Sequence, residues 1–310
     1  MKGVLLINMG GPETKEEMKS FLKKMFLDPF IIPYNSIVRK IISILISNMR
    51  HKKSWRKYQL VNGTPIIKNT KLLAGSLQKK LGNNVEVRYA FSYSNPSIEH
   101  VLDEFRSKKI QIITAVPLYP QPSFVTTGSV KNSISGYLRK SPGLNIKIVE
   151  HFFSDKYYIE FWADIIRQHI QEVNVSQPLL IFSAHSIPLL WLKKGDTYRE
   201  AVNETATLVS KNLGYEHIVA FQSAMSGSKW LGPGLLDSIN HAVDEGCDSF
   251  VIVPVSFVSE NLETLYDLDK ILIPHFSGIT KVKHISRVGI PVLHNLFLEM
   301  LNSKIYEQSD

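Results

Sequence analysis

Short apolar runs alternate with longer segments of helical periodicity along the chain, and this alternation predicts an α/β fold. The predicted strands are residues 4–7, 85–89, 110–118 and 146–149 and, in a second series, residues 179–183, 218–222 and 250–255. Uninterrupted apolar runs suit strands that are buried on both faces of parallel sheets. The two series predict two Rossmann-like, doubly wound parallel-sheet domains that face each other across a cleft, residues 1–155 and 156–310. We expect the last helix to pack back on the first domain.

Residues 36–50 form a predicted amphipathic helix, with an apolar and a polar side. The apolar side carries Val38, Ile41, Ile42, Leu45 and Met49, and the opposite side carries Ser36, Arg39, Lys40, Ser43, Ser47 and Arg50. The apolar side either packs on the domain or lies on a membrane surface. Both interpretations stay open on the pattern alone.

Charge is distributed unevenly along this chain of net charge +8. No acidic residue lies between Asp28 and Glu86, whereas eleven basic residues do. In the rest of the chain, 25 basic residues are outnumbered by 28 acidic ones. The basic interval adjoins an amphipathic helix and no recognised nucleic-acid module, so we expect a membrane surface or an anionic ligand as its partner, and no nucleic acid.

Two classes of protein are excluded by simple counts. No apolar run reaches the roughly 20 residues that are needed to span a bilayer. The single cysteine, Cys247, cannot form an intramolecular disulfide, and one thiol cannot hold an iron-sulfur cluster. We therefore expect a cytoplasmic protein with neither a disulfide nor a cluster.

Candidate catalytic and metal-binding residues follow two of the predicted strands. His185 ends the first strand of the second series, and the carboxyl ends of strands are where open α/β sheets bind ligands. The alternative is a core histidine whose ring nitrogens are satisfied. Glu260, Glu263 and Asp267 have the spacing i, i+3 and i+7, which places them on one stripe of an α-helix. Acids in a first turn also stabilise the helix dipole without a ligand, which explains Glu260 most easily.

Imidazole and carboxylate groups together suit a divalent metal in transit, such as ferrous iron, because no thiolate cage retains it. A neutral histidine also accepts protons near pH 7, since its ordinary pKa is about 6.5. The residues therefore favour a site at which a metal arrives and protons leave.

Several longer motifs occur in order along the chain: NMGGPET from Asn8, FLDPFIIP from Phe26, LYPQPSFVTTGS from Leu118, FSAHSIP from Phe182 and VPVSFVSENLETLYDLD from Val253. On these motifs the chain resembles the ferrochelatases nearly from end to end. The resemblance implies a chelatase-like fold and a lyase that inserts ferrous iron into protoporphyrin IX. Two pyrrole protons are lost and protohaem is formed, as the last step of haem biosynthesis.

The resemblance also implies roles for individual residues. His185 and Glu263 match the catalytic positions, and the metal path would comprise His185, Glu263, Asp267 and Glu260. The implied substrate-binding residues are Met9, Arg50, Lys53, Tyr58, Tyr93 and Ser123. Residues 30–49 would form an apolar lip that touches the inner membrane peripherally. No cofactor beyond the substrate iron is implied, and other haem-pathway enzymes are the implied protein partners.

The chain departs from the family pattern at four positions. Ser92 stands where arginine is usual, Glu260 and Asn261 replace aspartate and histidine, and Leu235 replaces threonine. Asn261 puts a metal role at its position in doubt. None of these departures affects His185 or Glu263.

Two other functions compete with this prediction. One is a chelatase for another metal or tetrapyrrole, although the NMGGP motif and the long lip resemble the protoporphyrin type more than the coproporphyrin type. The other is a porphyrin or haem carrier. A carrier needs a pocket and a lip but has no use for acids beside a proton acceptor, so Glu263 and Asp267 discriminate against it.

Overall fold

The computed structural model describes residues 2–224 and 230–307, which fall into two compact units. Unit 1 extends to Tyr119, continues from Ser123 to His151 and includes the chain from Leu301 onward. Unit 2 comprises Pro120–Pro122 and Phe152–Met300. The main change of unit at His151 lies close to the boundary expected after residue 155.

Unit 1 is built on a parallel four-stranded sheet of order β2-β1-β3-β4. Its strands are β1 (Lys2–Asn8), β2 (Val85–Phe91), β3 (Ile112–Pro117) and β4 (Asn145–Ile148). Its helices are α1 (Lys15–Phe26), α2 (Ser36–Leu60), α3 (Pro65–Leu81), α4 (Ile98–Ser107), the π-helix π1 (Phe124–Gly128) and α5 (Ser129–Lys140). Leu5, Ile7 and Ala115 of the central strands pack against Leu102 and Phe105 of α4 in one core cluster.

Unit 2 repeats this plan with a parallel sheet of order β6-β5-β7-β8. Its strands are β5 (Leu179–His185), β6 (His217–Gln222), β7 (Ser249–Val253) and β8 (His284–Arg287). The helices around them are α6 (Lys156–Val173), α7 (Leu189–Lys193), α8 (Tyr198–Leu213), α9 (Leu235–Asp244), the π-helix π2 (Glu263–Leu272) and α10 (Ile273–Ser277). The last helix, α11 (Asn295–Glu307), begins in unit 2, and its residues from Leu301 belong to unit 1. The predicted α/β class with two parallel sheets is confirmed.

Local signals placed the starts of two helices correctly. The Thr14 side chain accepts a hydrogen bond from the Glu17 amide and caps α1, as the spacing of these residues predicts. Ser97 caps α4 in the same way by accepting from the His100 amide. In both cases the bond joins residues three positions apart, so the sequence alone contains the information.

The orientation of α2 contradicts the prediction for its polar side. Ser43 and Ser47 are 0% and 1% exposed, whereas Ile41, Leu45 and Met49 are 54%, 55% and 80% exposed. Each serine hydroxyl donates to a carbonyl of its own helix, Ser43 to that of Lys40 and Ser47 to that of Ile44, so burial leaves neither hydroxyl unsatisfied. Because α1 packs on α2, the small serine side faces the protein and the isoleucine side faces outward.

Candidate active site

The carboxyl end of the sheet in unit 2 carries His185 as the last residue of β5, between the neighbouring strands β6 and β7. The His185 backbone amide donates to the Ser256 hydroxyl at 3.3 Å, which ties the end of β5 to the loop after β7. His185 is half-buried. The predicted position of His185 at the carboxyl end of a strand is therefore confirmed, and ligand binding there stays a prediction.

The imidazole of His185 has a defined tautomer. Its Nδ1 lies 2.7 Å from the Ser186 carbonyl oxygen. Because a carbonyl oxygen only accepts, Nδ1 carries the hydrogen and Nε2 holds the lone pair in the neutral ring. Such a bond also fixes the orientation of the ring. His185 is thus arranged to accept a proton or a metal ion at Nε2.

Tyr198, at the start of α8, bonds to residues at the carboxyl end of the same sheet, although no role was predicted for it. Burial, followed by the charge of Asp196, raises the pKa of its phenol, while hydrogen bonds with Ser256 and with the His185 backbone act in the opposite direction. The phenol stays neutral and supports the loop that holds His185. The sequence signal that could have pointed to this residue is the stretch KGDTY, residues 194–198, which Tyr198 ends.

The acidic segment after β7 is π-helical, and this corrects the predicted stripe of three carboxylates. The i→i+5 hydrogen bonds of π2 make each turn wider than the 3.6 residues of an α-helix. Glu263 and Asp267, four residues apart, remain on one face. Asp267 Oδ2 also accepts from the Ser223 hydroxyl at 3.1 Å, and Ser223 follows β6 in a left-handed conformation with φ 61°.

Glu260 lies before π2 and does not join Glu263 and Asp267 on their face. Its Oε1 accepts from Arg287 Nη1 at 2.8 Å and from the Ile290 amide at 2.9 Å, and its Oε2 accepts from the Thr264 hydroxyl. Both oxygens of Glu260 thus bind protein donors, and its metal role stays a prediction. One of these donors is a buried arginine 27 residues further along the chain, which no local pattern reveals.

Asn261, the departure that put a metal role in doubt, closes the turn that leads into π2. Its side-chain oxygen accepts from the Thr264 amide, and the Thr264 hydroxyl accepts from the Asn261 amide, both at 3.0 Å. Asn261 is 6% exposed. In this chain the position therefore shapes the backbone before Glu263.

Arg287 is the cation that balances this acidic segment. Burial alone would lower the pKa of its guanidinium, but hydrogen bonds and charges from Asp269 and Glu260 outweigh burial and raise the pKa above its ordinary value. The guanidinium is charged at every pH at which the protein is folded. Among the described residues, no group of three or more histidine, cysteine, aspartate or glutamate side chains is arranged to hold a metal ion.

The substrate residues predicted in unit 1 divide into accessible and structural ones. Arg50 and Lys53 are exposed on α2, and Met9 is half-buried after β1. Tyr58, on the last turns of α2, is only 9% exposed. A Cβ atom on Gly11 would lie 3.6 Å from the Tyr58 ring and 2.4 Å from Thr64 Cγ2, so only glycine allows this close approach.

The hydroxyls of Tyr93 and Ser123 are used within unit 1. Tyr93 is 7% exposed and donates to Asp28 Oδ2 at 2.8 Å, while Ser129 donates to the same oxygen. Burial, followed by the charge of Asp28, raises the pKa of the Tyr93 phenol. The Ser123 hydroxyl caps π1 by accepting from the Val125 amide. These bonds build the framework at the start of the lip, a role that the sequence did not predict.

A cavity of about 710 Å³ opens in unit 1 away from the predicted residues. Lys68, Lys71, Tyr89 and His100 contribute to its lining, and none of the six predicted substrate residues does. Both lysines belong to the basic interval. The overall charge pattern was the only sequence signal for this cavity.

Residues 30–49 present an apolar surface. The Phe30 ring stacks on Phe124 with centroids 6.3 Å apart, and from Ile37 onward most of the apolar side chains of this part of α2 point outward. Within the described part of the chain, no helix has both the length and the hydropathy to cross a bilayer.

Comparison with known proteins gives consistent results. The family model described as Ferrochelatase matches residues 1–309. The chain is 36% identical over 275 residues to "Ferrochelatase" of Aquifex aeolicus, covering 87% of each chain. It is 34% identical over 275 residues to "Coproporphyrin III ferrochelatase" of Enterococcus faecalis, covering 86% of this chain and 87% of the relative.

Solved structures share the fold at low sequence identity. SirB from Bacillus subtilis with Fe3+ superimposes with a TM-score of 0.61 and 13% identity, covering 98% of this chain and 96% of the other. A second SirB structure, in complex with cobalt, has a TM-score of 0.58 and 11% identity, with 99% of this chain and 95% of the other covered. These likenesses support the architecture of two parallel sheets.

Proposed function

The chain belongs to the ferrochelatase family, whose members insert a metal ion into a porphyrin, and we propose that it converts protoporphyrin IX and ferrous iron to protohaem. The observation that carries this proposal is the arrangement at one edge of unit 2. His185 presents Nε2 at the end of β5, and Glu263 and Asp267 begin the π-helix that follows the neighbouring strand β7.

His185 acts as the proton acceptor in this proposal. Metal insertion releases two pyrrole protons for each iron ion, so a base must lie close to the macrocycle. The bond from Nδ1 to the Ser186 carbonyl directs Nε2 toward that task and stabilises the imidazolium that forms. From there the protons pass to water.

Glu263 and Asp267 bind the incoming iron in this proposal. Carboxylate oxygens hold ferrous iron without the strong thiolate bonds that would retain it, so the ion can be passed on to the porphyrin nitrogens. The Ser223 hydroxyl donates to one oxygen of Asp267 and so helps to hold that carboxylate in place. Iron here is the substrate and no resident cofactor is required.

The chemistry of α2 supports protoporphyrin as the substrate. Protoporphyrin has an apolar edge with two vinyl groups and two propionates that carry negative charge. The exposed Ile41 and Leu45 suit the apolar macrocycle, and Arg50 and Lys53 suit the propionates. Coproporphyrin III, with four propionates, is the second candidate, because the relative from Enterococcus faecalis carries that name and unit 1 holds further lysines at Lys68 and Lys71.

We also propose that the lip touches a membrane surface peripherally on its cytoplasmic side. Exposed Ile37, Ile41 and Met49 form an apolar face, and the basic residues of the acid-free interval attract anionic headgroups. A planar apolar substrate is concentrated at such a surface. Binding of this kind needs no spanning helix.

The test is an anaerobic assay of purified protein with ferrous iron, in which the porphyrin absorption spectrum is followed. Protoporphyrin IX and coproporphyrin III are compared with the wild type, His185→Ala and Glu263→Ala. We expect faster conversion of protoporphyrin, lost in both variants while porphyrin binding persists. His241→Ala, on the exposed side of α9, is the matched control and keeps full activity.

Three outcomes separate the alternatives. Preferential conversion of coproporphyrin III would make it the substrate in place of protoporphyrin IX and would leave the proposed reaction unchanged. Tight porphyrin binding without conversion by the wild type would indicate that the protein is a porphyrin carrier. Full activity in both variants would remove His185 and Glu263 from the mechanism.

A further inference from the structure

We propose that His169 and His284 form a second binding site in unit 2, for a divalent metal ion that prefers nitrogen ligands, such as Ni2+ or Co2+. The two imidazoles come from different elements, α6 and the edge strand β8, and they meet at the hydroxyl of Ser286. The proposed reaction uses none of these three residues. The inference therefore does not rest on the proposed function.

The two ring atoms that meet at Ser286 are both Nε2 atoms. His169 Nε2 lies 2.9 Å from the Ser286 hydroxyl oxygen, and His284 Nε2 lies 2.8 Å from the same oxygen. The two nitrogens are therefore less than about 6 Å apart. Metal ions of this class bind imidazole nitrogen at about 2.0–2.1 Å, so the rings need to approach each other by no more than about 3 Å to share one ion. Rotation of the small serine hydroxyl clears the space between them.

The backbone places these side chains on one surface of unit 2. His284 and Ser286 are two residues apart on β8, and because side chains alternate along a strand, both lie on the same side of the sheet. His169 reaches that side from α6 through its contact with Ser286. All three residues are half-buried, so the rings are held by packing while solvent still reaches them.

The charge state of the site suits metal binding. Burial lowers the pKa of His169, and the charge of Glu172 opposes this shift. His284 and Arg287 add to the decrease, so the His169 ring is neutral at pH 7 and can offer a lone pair. The positive charge of Arg287 is balanced by two carboxylates, each within 2.8 Å.

A set of hydrogen bonds without a metal role is the alternative interpretation. The Ser286 hydroxyl has one hydrogen, so one imidazole accepts from it and the other donates to it. Hydrogen bonding thus needs Nε2 of one ring to carry a hydrogen, whereas a metal ion needs a lone pair on both Nε2 atoms. The two interpretations differ in what removal of the hydroxyl does, and this difference can be measured.

The ligands determine which ions the site takes. Imidazole favours Ni2+, Co2+, Zn2+ and Cu2+, whereas Mg2+ and Ca2+ prefer oxygen ligands. In the part of the chain that the structure describes, no third histidine, cysteine or acidic side chain completes a metal-binding group. Water fills the remaining positions, so we expect reversible binding. A bound ion would link α6 to β8 and stabilise the folded state.

The test is calorimetric titration of Ni2+ into protein without a polyhistidine tag. All variants carry His185→Ala, so that the imidazole of the proposed active site does not contribute, and this single variant is the parent. His169→Gln and His284→Gln keep a side chain that can bond to Ser286, and each should weaken Ni2+ binding at least about tenfold. Ser286→Ala should bind Ni2+ at least as tightly as the parent, because no hydroxyl competes for the rings.

His241→Gln is the matched control, since His241 is an exposed histidine of α9 in the same unit. It should bind Ni2+ like the parent. Ni2+ should also raise the thermal unfolding midpoint of the parent and of His241→Gln, but not that of His284→Gln.

Two results would overturn the proposal. One is an equal Ni2+ titration in the parent, His169→Gln and His284→Gln. The other is loss of binding in a folded Ser286→Ala variant while both histidine variants still bind. No porphyrin is present in these experiments, so they give the same answer whether or not the wild type converts porphyrin.

Discussion

The two units have the same topology, and they differ in what they place at equivalent positions. In each sheet the first strand in chain order lies between the second and the third, and the fourth follows the third. A π-helix follows the third strand in both, π1 after β3 and π2 after β7. The central strand β1 ends in Asn8, whereas β5 ends in His185. Chemistry therefore resides in side chains placed on a repeated scaffold, and not in the scaffold itself.

The π-helices show the same contrast. The segment Phe124–Gly128 of π1 contains no charged residue, whereas π2 carries Glu263, Asp267 and Asp269. Unit 1 instead carries the exposed apolar face of α2 and the acid-free basic interval. In the proposed function, unit 1 offers groups that bind an amphipathic anion, and unit 2 offers groups that exchange protons and metal.

The largest effect on activity should come from replacing His185, the last residue of β5, with asparagine, the residue type that ends β1. His185→Asn keeps a polar side chain but cannot accept a proton near pH 7, so kcat for metal insertion should fall at least about 100-fold. Steady-state assays under anaerobic conditions measure it. His241→Asn on α9 should keep wild-type turnover, and a loss of less than about threefold in His185→Asn would contradict the distinction between the two strand ends.

A smaller effect is expected at the turn that follows β1. Gly10 has φ 83°, and a Cβ atom there would lie 2.6 Å from Ser94 Oγ and 2.9 Å from Phe91 Cβ. Gly10→Ala should therefore lower the free energy of unfolding by about 2–3 kcal/mol, combining backbone strain with overpacking. Urea denaturation measures it.

The matched control for that variant is Gly143→Ala, since Gly143 has φ 106° and no atom within 4 Å of its added Cβ. Only the backbone penalty applies there, so we expect about 1 kcal/mol. Equal losses at the two glycines would show that the close approach at Gly10 has no energetic weight.

The next effect in size is a loss of membrane binding when the apolar face of α2 is changed. Ile41→Glu combined with Leu45→Glu should weaken binding to vesicles of anionic phospholipid about tenfold, because each change removes apolar area from the bound state. Sedimentation with vesicles measures it. Both positions are exposed, so the fold should persist. Leu236→Glu, at an exposed leucine of α9 in unit 2, should bind like the wild type, and equal weakening there would contradict a surface specific to unit 1.

The smallest effect is on the pH dependence of stability, through a contact between α6 and β8. Burial lowers the pKa of His169, the charge of Glu172 opposes this shift, and His284 and Arg287 add to it. The Nε2 atom of His169 lies 2.9 Å from the Ser286 hydroxyl. The unfolded chain then binds this proton more readily than the folded one, so stability falls as the pH drops below about 6.5. The urea midpoint should decrease between pH 7.5 and pH 5.5. His169→Gln should flatten that dependence, whereas His241→Gln should not.

Much of the fold and part of the site depend on interactions that are local in sequence, and these were predictable. The apolar run that ends at His185 determined a buried strand and the place of the histidine at its carboxyl end. Thr14 and Ser97 determined two helix starts, because a cap bonds an amide three residues away. The motifs around Asn8, His185 and Glu263 were sufficient to identify the family.

Only the tertiary structure decided which groups were accessible. It buried Ser43 and Ser47 and exposed the isoleucines of α2, because α1 packs on the side with small residues. It also bonded Tyr93 to Asp28, 65 residues earlier, and Glu260 to Arg287, 27 residues later. Such pairs have no local pattern, since they form only when distant segments pack. Hence the sequence determined which residues are candidates for the chemistry, and packing decided which other groups of the protein a candidate such as Glu260 binds.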